Sequence, residues 1–105
     1  MATMHFNTQS FQEALASGKP VLADFFATWC GPCRMMGPVV DELAQIFEGK
    51  AIIGKIDVDE CMELAEEYGI STVPTFMFFK HGEIIEKIPE EKIISKLIEE
   101  LKKLR

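Results

Sequence analysis

Residues 20–26 read PVLADFF, a nearly continuous apolar run of strand length. A strand with one wet face alternates apolar and polar side chains. One that is apolar at odd and even positions alike is covered on both sides. This chain therefore needs a sheet with helices packed on each face. AIIGKIDV (51–58) has the same character and predicts a second buried strand. With 105 residues the chain is read as one domain, 1–105, because there is no length for a second core.

The remaining elements are read from periodicity and punctuation. Residues 3–6 predict a short first strand. Asn7 or Thr8 caps a helix over about 9–17, with Phe11 and Leu15 on its apolar face and Gly18 at its end. Met35, Met36, Val39, Val40, Leu43, Ile46 and Phe47 recur at spacings of three and four, predicting a helix over 31–48 with Pro38 inside it as a kink. Asp59 is placed as the cap of a short helix over 60–67 that Gly69 closes. PTFMFFK (74–80) and EIIEKI (83–88) flank His81-Gly82 as a β-hairpin. The apolar spacing from Pro89 to Leu104 predicts a final amphipathic helix. The order β-α-β-α-β-α-β-β-α implies a mixed α/β sheet with helices on both faces, and leaves the order of its strands open.

ATWCGPCRMM (27–36) lies where the buried strand gives way to the long helix. Two cysteines spaced by Gly-Pro could hold a metal, sit inert in a core, or cycle between dithiol and disulfide. A structural zinc takes four ligands, and beyond Cys30 and Cys33 the chain offers only the scattered His5, Cys61 and His81, so no metal is expected. An inert pair would give Gly31 and Pro32 no purpose. The redox reading uses every residue. Cys30 stands at a helix N-terminus, where unpaired amides and the helix dipole favour a thiolate. Cys33 comes one turn later on the same face, within reach of a disulfide. Gly31 allows the tight turn, and Pro32 fits the first helical turn, where its missing N–H has no partner to lose. Cys30 is thus expected to be the exposed nucleophile and Cys33 the shielded resolving thiol.

Other residues admit two readings. Asp24 is either a partly exposed edge residue or a buried acid with a raised pKa that can take the proton of Cys33. Lys55, within AIIGKIDV, is either a surface lysine or the partner of that acid. Trp29 is either core filler or a flat cover beside the reactive sulfur. Pro74 is awkward in a strand unless it stands first or has a special geometry.

LADFFATWCGPCRMMGPVVDELA, GKIDVDE and YGISTVPTFMFFKHGE, followed by an amphipathic C-terminal segment, resemble the thioredoxin family in order and spacing. The resemblance runs from Phe11 to Leu104. It implies the thioredoxin fold, a central mixed five-stranded sheet in the order 1-3-2-4-5 flanked by four helices. It implies a cis proline at Pro74, with the Val73 backbone offered to a substrate chain. It also implies that Asp24, aided by Lys55, serves Cys33, and that Trp29, Gly31, Pro32, Ile70, Thr72 and Val73 form an apolar rim around Cys30. The largest departure is EKIPEEKI (86–93), where most members carry a longer, glycine-containing loop beside the substrate groove.

The expected activity is protein-disulfide reduction without a cofactor beyond the Cys30–Cys33 disulfide. No nucleotide-binding or flavin motif is present, so electrons come from a separate thioredoxin reductase. Disulfide-containing proteins are the expected substrates. A net charge of −6 argues against nucleic acid as a partner. No apolar run approaches the roughly 18 residues of a membrane span. MATMHFNTQSF has neither a basic nor an apolar leader region, so a cytoplasmic location is expected; the resemblance leads us to expect a monomer. An oxidase of the same fold and a redox-silent binding module are the rival readings.

Overall fold

The structure, a computed structural model, describes residues 3–89. Its centre is strand β2 (Val21–Phe26), whose residues from Val21 to Phe25 are all buried. β2 has a neighbour on each side: β3 (Ile52–Asp57) runs parallel to it and β4 (Thr75–Lys80) antiparallel. Beyond β3 lies β1 (Met4–His5), also parallel, and beyond β4 lies antiparallel β5 (Glu83–Pro89). The sheet order is β1-β3-β2-β4-β5, the thioredoxin topology that the resemblance implied.

Alternation along the central strands sorts the core into two layers. Leu22, Ile53, Phe76 and Phe78 face helix α2 (Gly31–Ile46) and pack with Val40, Leu43 and Phe47. Val21, Ala23, Phe25, Ile56, Met77 and Phe79 face the other way. There they meet α1 (Thr8–Ala16) through Phe11 and Ala14, and α3 (Met62–Glu67) through Leu64. Edge-to-face rings tie this layer together: Phe11 and Phe79 are 5.4 Å apart, and Tyr68 lies 5.6 Å from Phe79.

Asn7 caps α1, accepting from the Ser10 amide at 2.7 Å while the Ser10 hydroxyl accepts from the Asn7 amide at 2.9 Å. α2 continues through Pro38 and ends at Ile46, two residues before the predicted end. His81 and Gly82, at φ 53° and 78°, make the hairpin turn, which needs positive φ at both central residues.

Two boundaries need correction. α3 starts at Met62 with Cys61 in the cap position and no side-chain cap. Asp59 is not its cap. Asp57 organises this turn instead, its carboxylate accepting from the Asp59 amide at 2.9 Å. Pro89 belongs to β5, paired with Thr75, rather than opening a helix. A proline at the end of an edge strand forfeits no ladder bond. The helix expected over 89–104 lies, apart from Pro89, outside the described residues, so three helices are described.

Candidate active site

β2 and β3 are parallel neighbours, so the turns leaving their C-terminal ends lie side by side. Ala27–Cys30 extends one and Val58–Cys61 the other, and the Val58 amide donates to the Phe26 carbonyl at 2.9 Å. This is the edge of an open α/β sheet where sites collect. Cys30 is the N-cap of α2, in an extended conformation with φ −89° and ψ 114°. Its sulfur accepts from the Cys33 amide at 3.2 Å, taking the place of the oxygen that usually satisfies an orphan helix donor.

Cys30 and Cys33 are joined in a disulfide, their Cα atoms 5.3 Å apart. The expectation of an exposed Cys30 does not hold in this oxidised state, where the two residues are 5% and 3% exposed. Their difference lies in their neighbours. Cys30 sulfur is 3.6 Å from the Val73 carbonyl oxygen. Cys33 lines a cavity of about 260 Å³ shared with Phe26, Ala27, Thr28, Arg34 and Lys55. Arg34 closes that side by donating to the Thr28 carbonyl at 2.9 Å.

Asp24 is wholly buried in the central strand, not at an edge. Its cross-strand partners are Phe76 and Lys55, which places its side chain on the α2 face, the face of the cysteine helix. Neither carboxylate oxygen has a hydrogen-bond partner among the described residues. Burial pushes its pKa up to about 7, with the charge of Lys55 pulling the other way. Lys55 is half-buried, its Nζ 5.2 Å from the centre of the Phe26 ring and close to Gly37 of α2.

Trp29 is 68% exposed, which removes the core-filler reading. It shares a groove of about 330 Å³ with Val58, Ile70, Ser71, Thr72 and Val73. Gly31 and Pro32 form the first turn of α2 beside it, Pro32 exposed. The Val73–Pro74 bond is cis, and Pro74 is buried immediately before β4.

Asp59 was missed by sequence reasoning. Its carboxylate accepts from the Trp29 indole N–H at 2.9 Å, fixing the ring's edge. The signal was available: the loops after adjacent parallel strands must meet, and one holds an indole donor while the other holds acids. Cys61 is a free thiol whose sulfur lies 3.8 Å from the Phe6 carbonyl. Burial, then Glu60 and Asp57, raise its pKa, so it is a poor nucleophile. Among the described residues no three His, Cys, Asp or Glu side chains are grouped to hold a metal, and no helix is long and apolar enough to cross a membrane.

A disulfide that closes the first turn of a helix, beside an open groove, is built to be traded for another disulfide. The class so defined is the thiol–disulfide oxidoreductases. The sequence pattern of the thioredoxin family matches residues 2–103. Thioredoxin from Chlorobaculum thiosulfatiphilum is 45% identical over 98 residues, covering 89% of this chain and 91% of its own. Thioredoxin 1 from Nostoc sp. is 52% identical over 77 residues, covering 73% of this chain and 72% of its own. Among solved structures, oxidised mitochondrial thioredoxin 3 from Saccharomyces cerevisiae superposes with a TM-score of 0.82 at 33% identity, covering 97% of this chain and 94% of that one. The chain belongs to the thioredoxin family. Its activity is dithiol–disulfide exchange through the Cys-X-X-Cys pair.

Proposed function

We propose that this single domain reduces protein disulfides with Cys30 as nucleophile and Cys33 as resolving thiol. The observation that carries the division of labour is the bond from the Cys33 amide to the Cys30 sulfur. Once the disulfide is opened, that donor and the α2 dipole favour negative charge on Cys30. The Cys30 thiolate attacks one sulfur of a substrate disulfide, forming a mixed disulfide and expelling the other sulfur as a thiolate that takes up a proton. Cys33 then loses its proton and attacks the Cys30 sulfur. The second substrate thiolate leaves and the Cys30–Cys33 disulfide is restored.

Asp24 is the proposed acceptor of the Cys33 proton. Its pKa of about 7 suits proton transfer near neutrality, and it lies on the sheet face that α2 covers. Lys55 stands opposite it and supplies a positive charge when it ionises. The substrate chain is proposed to lie in the groove of Trp29, Ile70, Thr72 and Val73, beside Gly31 and Pro32, with Pro74 shaping its floor. The Val73 backbone is the proposed pairing edge for that chain, a reading supported by its nearness to the Cys30 sulfur.

Each cycle consumes two electrons, which we assign to an external thioredoxin reductase. A reducing compartment, the cytoplasm, keeps such a dithiol available. The protein is proposed to act as a monomer. A Cys33→Ser variant tests the scheme. It should accumulate covalent, reductant-sensitive adducts on Cys30 when reacted with disulfide-bonded proteins; absence of adducts would assign the first attack elsewhere.

A further inference from the structure

We propose that Lys87 is a positioning residue for the substrate groove, locking from β5 the turn that joins α3 to β4. This rests on the proposed function, in which Ile70–Val73 form the wall that receives a substrate chain. Lys87 pairs with Met77 across β4 and β5. Cross-strand neighbours share a face, and Met77 packs in the same layer as Tyr68 and Ile70. The stem of Lys87 is therefore directed over the end of α3. Its Nζ donates to the Tyr68 carbonyl at 3.2 Å and to the Gly69 carbonyl at 3.1 Å.

These two carbonyls follow those that the turn's own amides satisfy. The Tyr68 amide donates to the Leu64 carbonyl, the Gly69 amide to Glu66 and the Ile70 amide to Ala65, which satisfies three of the last acceptors of α3. Gly69, at φ 64°, then bends the chain in the left-handed region, and Ile70 begins the groove wall. A cation over the last carbonyls of a helix also suits its dipole. At the far end of the wall the Thr75 hydroxyl donates to the Thr72 carbonyl at 2.6 Å. The wall is thus tied at both ends, and Lys87 is the tie that comes from another strand. Its side chain is exposed and belongs to neither core layer, so its loss relaxes the wall and leaves the fold intact.

A relaxed wall costs a substrate that lies along it and spares one too small to reach it. The test mixes pre-reduced Lys87→Met, Lys87→Arg and Ile70→Ala variants with rising concentrations of insulin, and the two Lys87 variants separately with cystamine. Lys87→Met should raise the half-saturating insulin concentration by about threefold to tenfold, the scale of one or two hydrogen bonds, with the maximal rate kept. Its cystamine rate should match that of the unaltered protein, and Lys87→Arg should restore insulin saturation. Equal losses on insulin and cystamine, or a Lys87→Arg variant as impaired as Lys87→Met, overturn the proposal. So does unchanged insulin saturation in Lys87→Met where Ile70→Ala is impaired. If Ile70→Ala is also unimpaired, the wall is not a substrate surface and the underlying reading falls with it.

Discussion

Asp24 is a carboxylate sealed in the middle of a sheet, and its protonation enters both stability and reaction. Its folded-state pKa of about 7 lies above the ordinary 3.8. Between those values the folded chain holds a proton that the unfolded chain has released, so stability falls as pH rises through that window. Below it both states are protonated and the penalty vanishes. Above it the accumulated cost is on the order of 4 kcal/mol. Asp24→Ala should therefore stabilise the protein at pH 8 by about 2 kcal/mol or more, the cavity left behind taking back part of the gain. At pH 4 it should give no stabilisation. Guanidinium titrations at the two pH values check this, and equal shifts at both would contradict it. The same variant should slow resolution of the mixed disulfide more than its formation in stopped-flow kinetics. Equal slowing of both steps would remove Asp24 from proton transfer.

At the scale of elements, β1 is the shortest of the described strands, only two residues long. Phe6, the next residue along the chain, holds it in place. The Phe6 amide donates to the Lys55 carbonyl at 2.8 Å, and the Phe6 ring covers Gly54 of β3, where a Cβ would collide with its edge. The ring has little room to retreat, since Phe11 stands edge-on 5.4 Å away. Gly54→Ala should accordingly lower stability by about 1–3 kcal/mol, read as a lower denaturant midpoint. Exchange with cystamine should persist, because Gly54 faces away from α2. A midpoint equal to that of the unaltered protein would mean that β1 moves aside freely.

Across the whole molecule, the parts legible in the sequence were those decided locally. β2 announced two covered faces through its unbroken apolar run, and the Asn7 cap, the His81-Gly82 turn and the Cys30–Cys33 helix start each depend on a few adjacent residues. Strand order was not local, since periodicity cannot say which parallel strand lies beside which, and it came from the family resemblance. The misjudged residues depended on contacts between segments distant in sequence. Asp59 looked like a helix cap because capping is a neighbour's business, whereas its partner is Trp29, thirty positions away. Cys30 looked exposed because helix N-termini usually are, but the Val73 loop lies against it. The contact of Lys87 with the end of α3 is of the same kind, made by a strand that lies far from that helix in sequence.

The irregularity in the last strand has a consequence for how the molecule behaves in a crowd. Between Phe78 and Phe79 the β4–β5 register shifts, leaving Ile85 as an extra residue, and Ile84 and Ile85 are 52% and 48% exposed. A straight outer strand with two such isoleucines would be a ready template for a stranger's backbone. The bulge breaks the spacing of donors and acceptors along that border, and Glu83 and Lys87 place charge on it. A protein proposed to take hold of other chains at Val73 thus has an outer edge that discourages unplanned pairing, so contact with another backbone can be confined to the place where a sulfur is waiting.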